Sequence, residues 1–202
     1  MRIIGGELRG RRLVDWDEST IRPVRDMVRS ALFDVIADFV DDARCIDLFA
    51  GTGALGFEAL SRGARSCLFI DKAAEACAII RRNAAAFGLL ASTEVYQGEV
   101  VAAIDHFARR GRRFDLVFID PPYGLNLVPP TLDALGTGRA LTEDPVVVVA
   151  TRWDEGGDEV VGSLSRVDAR RYGDNRLDFY RETLGEVEDS TSLQTDDVDG
   201  QR

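Results

Sequence analysis

The sequence predicts an α/β protein built on a seven-stranded, mostly parallel sheet with one antiparallel strand, extended at its N-terminus by a small β-hairpin and helix. Three observations predict it. Short runs of apolar and β-branched residues alternate with segments of helical periodicity, the signature of repeated βα units. One of these runs, Cys45-Ile46-Asp47-Leu48-Phe49, leads through Ala50-Gly51-Thr52-Gly53-Ala54-Leu55-Gly56 into a helix, a strand, tight glycine loop and helix in succession. The last two runs, Arg166 to Tyr172 and Leu177 to Arg181, flank Gly173-Asp174-Asn175 and close the sheet as a hairpin.

Composition sets the outer bounds. A chain of 202 residues, 45% of them hydrophobic, buries a full core as one domain with appendages. The expected division is an N-terminal hairpin over residues 1–21, a central domain over 22–184 and a tail over 185–202. No apolar run approaches a membrane span and no signal-peptide hydrophobic region follows Met1, so the expected location is the cytoplasm. Cys45, Cys67 and Cys77 lack CxxC spacing and read as small core residues of a reduced protein, with no metal or disulfide site.

A net charge of −10 argues at first against a nucleic-acid partner. Its distribution changes that reading. The tail carries Glu186, Glu188, Asp189, Asp196, Asp197 and Asp199 against Arg202, has no aromatic residue and reads as disordered. The opening segment is the reverse: Arg2, Arg9, Arg11 and Arg12 face only Glu7.

Taken in order, residues 2–14 place Gly5-Gly6 and Gly10 where turns are needed and suggest a β-hairpin. Its arginines either grip phosphates through their planar forks or form a solvated face. Trp16 is a packing anchor or a stacking surface. Pro23 and Asp26 suit the start of a helix whose apolar positions are Val28, Leu32, Val35, Ile36 and Phe39. Arg22, Arg25 and Arg29 share one face of it, lining a substrate cleft or facing solvent. The glycine loop Gly51-x-Gly53-x-x-Gly56 formally matches a dinucleotide fingerprint, and Asp71 ends the next strand, Ser66 to Asp71, where a ribose-binding acid belongs. A nicotinamide-dependent oxidoreductase is therefore a competing reading. A helix over residues 72–87 follows, with Ala76, Ile79, Ile80 and Ala84 inward and Gly88 at its end; Asn83 reads as a surface or sheet contact. Thr93 to Gln97 is a third strand, followed by Gly98-Glu99. The helix from Val101 to Arg110 ends in Arg109-Arg110-Gly111-Arg112-Arg113, a basic cluster that topology places opposite the cleft. His106 on that helix is not a catalytic candidate.

The chain is organised around the next run, Asp115-Leu116-Val117-Phe118-Ile119-Asp120-Pro121-Pro122-Tyr123. It is a buried strand that stops at a carboxylate, two prolines and an aromatic ring. The prolines cannot continue a ladder and stiffen the exit. Open α/β sheets keep their ligands at that carboxyl edge. An acid, a carbonyl and a ring held together there suit gripping a planar base by its exocyclic amine and its face. Gly124-Leu125-Asn126 forms a mobile lip, Pro130 to Leu135 a helix, Pro145 to Ala150 a fifth buried strand and Gly156-Gly157 a turn.

Asp120-Pro121-Pro122-Tyr123 resembles motif IV of amino-methyltransferases that use S-adenosylmethionine. Asp47-Leu48-Phe49-Ala50-Gly51-Thr52-Gly53 is similar to their motif I. The resemblance extends to Met1-Arg2-Ile3-Ile4-Gly5-Gly6, Arg9-Gly10-Arg11, Arg22-Pro23, Val28-Arg29, Leu32-Phe33 and Gly56-Phe57-Glu58-Ala59-Leu60-Ser61-Arg62-Gly63. Together these look like the bacterial family that methylates the N2 of a guanine in 16S ribosomal RNA. The likeness covers roughly residues 1–182, leaves the tail outside and implies the class I methyltransferase fold.

It also implies roles. Asp120, Pro121, Pro122 and Tyr123 would be catalytic. Asp47, Phe49, Ala50, Gly51, Thr52, Gly53, Asp71, Lys72, Gly98 and Glu99 would hold S-adenosylmethionine, Asp47 near its methionine part, Asp71 at the ribose and Glu99 near the adenine, with Gly98 leaving room for the ring. Glu99 departs from the Asp or Asn more usual in the family. Arg2, Arg9, Arg11, Arg12, Arg22, Arg25 and Arg29 would meet RNA. The partner would be 16S ribosomal RNA, as the 30S subunit or an assembly intermediate, met by a monomer; the target base must leave its stack. A DNA amino-methyltransferase shares the cleft motifs. A cytosine C5 enzyme would need a cysteine at the cleft, and a non-catalytic RNA-binding protein would not need Asp-Pro-Pro-Tyr.

Overall fold

The structure is a computed structural model describing residues 1–14 and 26–183. Trp16, Arg22, Pro23, Arg25, the tail and both proposed domain boundaries lie outside the described residues.

The first helix, α1, runs Asp26–Val35 and buries Val28, Leu32 and Phe33, with a single 3₁₀ turn at Ala37–Phe39 after it. Then β1 (Arg44–Leu48), α2 (Ala54–Ser61), β2 (Ser66–Asp71), α3 (Ala74–Phe87), β3 (Thr93–Gln97), α4 (Val100–Arg109) and β4 (Phe114–Ile119) alternate as expected. They are followed by α5 (Val128–Thr137), β5 (Leu141–Arg152), β6 (Val160–Val161), β7 (Leu164–Tyr172) and β8 (Asn175–Glu182). The helix α5 starts earlier than its sequence suggests because Pro129 and Pro130 sit in its first turn, where a missing N–H costs nothing.

The sheet has eight strands in the order β3-β2-β1-β4-β5-β8-β7-β6. From β3 to β5 all pairings are parallel, and β8 runs antiparallel to β5 and β7. The expected seven strands are thus joined by a two-residue edge strand, β6, antiparallel to β7. A pair that short carries no periodicity for sequence reading to detect.

Central strands are apolar throughout because both faces are covered. Leu116, Phe118, Val146 and Val148 meet α1, α2 and α3, while Val117, Ile119, Val147 and Val149 meet α4 and α5. The order reverses between β1 and β4, where one crossover leads to each side. A crevice opens outside the carboxyl ends at that switch point. Among the described residues, no helix is long and apolar enough to cross a membrane.

The N-terminal segment is a looser hairpin than its glycines predict. It has a lone bridge, Arg2 to Arg12, and cross-chain bonds from Ile3 N–H to the Arg11 carbonyl and from Leu13 N–H to the Met1 carbonyl. It is docked rather than free. Ile3 and Leu13 join the core against α1, α2 and α3, and Glu58 on α2 accepts the N–H groups of Ile4 and Gly5 at 2.8 and 2.7 Å.

Candidate active site

The crevice at the switch point is a cavity of about 420 Å³. Its walls come from the ends of β1, β2, β3 and β4 and the loops that follow them. Asp47, Phe49, Ala50, Gly51, Thr52, Asp71, Lys72, Gly98, Glu99, Asp120, Pro121, Pro122 and Tyr123 all line it. Gly53 does not: it caps α2 at φ 79°, and a side chain there would lie 2.7 Å from the Phe57 ring. At Gly98, the neighbour that a side chain would strike is the ring of Tyr96, at 2.6 Å.

The loop after β1 has an unusual backbone. Phe49 adopts φ 64° and Gly51 φ 56°. A bulky residue in the left-handed region costs about 1–3 kcal/mol and persists only when its surroundings enforce it. Here they do. Gly51 N–H donates to Asp71 Oδ2 and Ala73 N–H to Asp71 Oδ1, both at 2.8 Å, so β2 holds the loop. Gly56 N–H donates to Asp47 Oδ2 at 2.9 Å, and Asn83 Nδ2 to the Thr52 carbonyl at 3.2 Å.

Asp47 is 2% exposed, and burial pushes its carboxyl well above the usual carboxylate range. The Gly56 bond pulls the other way, and the charges of Asp120 and Asp71 add to the rise. Asp120, half-buried just past β4, is pushed up to about 7 by burial. Among the described residues, neither of these acids nor Asp71 makes an ion pair with a cation. Buried carboxylates left without counter-charge favour a cationic or N–H-donating ligand.

Tyr123 is placed by the closing hairpin: its hydroxyl donates to Asn175 Oδ1 at 3.4 Å, at the start of β8. The lip beyond it is tied too, because Gly124 N–H donates to Glu155 Oε1 at 3.0 Å.

The arginines divide. Arg2, Arg9, Arg11 and Arg12 are exposed on the N-terminal segment and do not line the cavity. Arg11 lies over the Phe87 ring, 5.0 Å from its centroid, and donates to the Ala86 carbonyl. Of the two readings open for Arg29, cleft or solvated face, the structure selects the cleft: Arg29 is 1% exposed, bonded to the Arg2 carbonyl and Asp26, and lines the cavity. Helix periodicity places it beside Val28, Leu32 and Phe33, and α1 turns that face inward. The basic cluster sits at the far edge, with Arg109 paired to Asp105 and Arg112 to Glu94. Cys45, Cys67 and Cys77 are free and buried and do not line the cavity.

Two residues that support the site escaped sequence reasoning. Glu58 and Asn83 are both fully buried. Glu58 joins α2 to the N-terminal segment, and Asn83 on α3 ties that segment to the glycine loop, accepting from Val14 N–H at 2.6 Å as well as donating to Thr52. The surface reading of Asn83 fails because it falls on the inward stripe of α3 with Ile79, Ile80 and Phe87. A polar residue on such a stripe is the signal that could have revealed it.

The family model described as Conserved hypothetical protein 95 matches residues 1–181. Ribosomal RNA small subunit methyltransferase D of Escherichia coli K12 is 35% identical over 158 residues, covering 77% of this chain and 77% of that protein. The Haemophilus influenzae protein of the same name is 33% identical over 159 residues, covering 77% and 80%. Among solved structures, Escherichia coli yhhF matches at a TM-score of 0.80 and 30% identity, covering 92% of this chain and 99% of its own. The architecture is the class I methyltransferase fold with one added edge strand.

Proposed function

The chain belongs to the family described as Conserved hypothetical protein 95, that of the ribosomal RNA small subunit methyltransferase D proteins, and from that premise we propose that it transfers a methyl group from S-adenosylmethionine to the exocyclic N2 of a guanine in 16S ribosomal RNA. The observation that carries this reading is a single one. The strained glycine loop and Asp120-Pro121-Pro122-Tyr123 open into one cavity lined by Asp47, Asp71 and Asp120, acids that make no ion pair among the described residues.

The cavity fits the cofactor on its own chemistry. Asp47 would take the ammonium of its amino-acid part. Asp71, whose oxygens each accept one backbone N–H and keep a further lone pair, would take the ribose hydroxyls. Glu99 and Gly98 would flank the adenine. Bound there, S-adenosylmethionine supplies an electrophilic methyl group on a sulfonium centre.

The protein's own part is to make the base nitrogen reactive. The lone pair of that nitrogen is delocalised into the ring. Asp120 and the Pro121 carbonyl would accept its N–H bonds, drawing it towards tetrahedral geometry and stabilising the charge that develops on it. The Asp120 carboxyl, raised to about 7, can hold the proton that the methylated nitrogen sheds. Tyr123 would stack on the flipped base, and Pro122 keeps the exit stiff. Arg2, Arg9, Arg11 and Arg12 would meet the RNA backbone beside the cleft.

The test is transfer of labelled methyl from S-adenosylmethionine to four acceptors: 30S subunits from a strain lacking this gene, protein-free 16S RNA, duplex DNA and buffer. N2-methylguanosine recovered from the subunits establishes the reaction, and failure with naked RNA would show that ribosomal proteins shape the substrate. Label in DNA alone would overturn the ribosomal assignment and leave the chemistry of Asp120 standing.

A further inference from the structure

The closing hairpin carries one arginine that differs from its neighbours. Along β5, β7 and β8, Arg152 pairs with Asp154, Arg170 with Asp168, Arg181 with Asp144, and Arg166 and Arg176 share Asp178. Arg171 is exposed and makes no ion pair among the described residues. It is nonetheless held in place. Its guanidinium lies over the Trp153 ring, 4.8 Å from the centroid, and its Nε donates to the Gly173 carbonyl at 3.0 Å. Trp153 also carries the Arg176 guanidinium, at 5.1 Å, and its backbone N–H donates to the Asp174 carbonyl at 2.8 Å. Stacking occupies the flat face of a guanidinium and the backbone bond occupies Nε, so the two Nη groups keep donors in the plane of the fork. An exposed fork that is oriented without a carboxylate is arranged for an anion from outside the chain.

Its place in the fold says which anion. Trp153 opens the 3₁₀ turn Trp153–Glu155 at the carboxyl end of β5. Glu155 of that turn accepts the N–H of Gly124, next to Tyr123. The Tyr123 hydroxyl donates to Asn175, whose pair with Tyr172 is one step nearer the hairpin tip than the pair of Arg171 with Arg176. Arg171 therefore stands beside the aromatic end of the crevice. Cross-strand partners share a face of the sheet, and so do alternate residues of a strand. Arg171 is thus on the face of Arg176 and Tyr180, and Tyr180 packs in the core that covers α5. The N-terminal arginines belong to a segment docked on the other face, against α1, α2 and α3.

We propose that Arg171, braced by Trp153, binds a backbone phosphate of the RNA strand next to the target guanine, on the side of the cleft opposite the N-terminal arginines. This rests on the ribosomal RNA reading above and adds a second anchoring point to it. Phosphate contacts fix register and orientation without reading sequence. A strand held on both sides of the crevice mouth has its target nucleotide placed over Tyr123.

The test is the KM for 30S subunits from a strain lacking this gene, measured by methyl transfer with the full chain over a series of potassium chloride concentrations. Arg171→Ala should raise KM about three- to tenfold at low salt, as loss of an exposed charge-assisted contact does, with kcat and the calorimetric affinity for S-adenosylhomocysteine unchanged. It should also reduce the slope of log KM against log salt by about 0.7, the share of one single-strand phosphate. Arg171→Lys should keep the slope and recover part of KM, since it retains the charge but not the fork. Trp153→Leu should raise KM less than Arg171→Ala by freeing the guanidinium, and Trp153→Phe should restore most of it. Arg170→Ala, one residue away and paired with Asp168, should change neither quantity. A wild-type KM and slope in Arg171→Ala would overturn the proposal. So would an equal change in Arg170→Ala, which would reduce the effect to overall surface charge. A lower melting temperature and weaker cofactor binding, with the slope unchanged, would make Arg171 a support for the hairpin instead. A wild type that transfers no methyl to the subunits would remove the ribosomal RNA reading itself.

Discussion

Asp115 and Asp120 stand at opposite ends of β4 and meet opposite fates. At the amino edge, Asp115 accepts Arg44 Nε at 2.9 Å and Nη2 at 3.0 Å, with the Arg44 N–H at 2.8 Å, and this bonding holds its carboxyl below the usual range. Asp42 is lowered in the same way beside Arg65. At the carboxyl edge, Asp120 and Asp47 have no such partner among the described residues and are raised by burial. One sheet thus keeps a balanced, solvated edge and an unbalanced, buried one. The lesson is that charges spent on stability are paired, whereas acids held for a ligand are left waiting for it.

The sharpest way to break the contrast is to neutralise each acid. Asp120→Asn should lower methyl transfer by at least about 10²–10³-fold, the usual effect of removing one group that stabilises developing charge. It should also raise the melting temperature, because a buried charge has gone. Asp115→Asn should leave transfer untouched. Comparable losses from both would dissolve the distinction between the edges.

The pH dependence is the next largest effect. Asp120 must be ionised to accept an N–H, so kcat/KM should fall about tenfold per pH unit below about 7. Stability runs the other way. A carboxyl raised in the fold favours folding most at acid pH and loses that contribution as pH climbs from the unfolded value, about 3.9, to about 7. Asp115, being lowered, helps folding at neutral pH and stops only in acid. The melting temperatures of wild type and Asp120→Asn should therefore converge on acidification, and parallel curves would refute the assignment.

Tyr123 refines what the buried edge is for. Tyr123→Ala should cost about 1–3 kcal/mol of transition-state binding, roughly 5- to 150-fold, if the ring stacks on a base. Tyr123→Phe should keep most activity, since stacking needs the ring and not the hydroxyl. Equal losses would point to the hydroxyl. Asp71→Ala should weaken cofactor binding by about tenfold without unfolding the chain, read by calorimetry, as Gly51 and Ala73 lose their anchor. Smallest of all, Arg44→Ala should cost at most about 1 kcal/mol of stability and less still in high salt. Any effect of it on methyl transfer would be unexpected.

Much of this was legible in the chain itself. The βα alternation, the glycine loop and the stiff Asp-Pro-Pro exit are local patterns, each written in a few consecutive residues. They fix which strand ends bear acids, and so Asp47, Asp71 and Asp120 could be singled out before any fold was known. Local sequence left Arg29 open between cleft and solvent, and Asn83 was legible only through its place on the apolar stripe of α3, because which way a helix face turns is settled by its neighbours. The two-residue strand β6 exists only because β7 is there to pair with it.

By itself, then, the sequence determined the element order, the parallel core and the acids at its carboxyl edge, since periodicity and turn chemistry act over a handful of residues. Only the tertiary structure decided which charges find partners. Arg44 lies far along the chain from Asp115 and bonds to it, while Arg29 is folded inward with donors to spare. Pairing depends on three-dimensional distance, and the difference between a structural acid and a functional one comes from the packing of helices on the sheet.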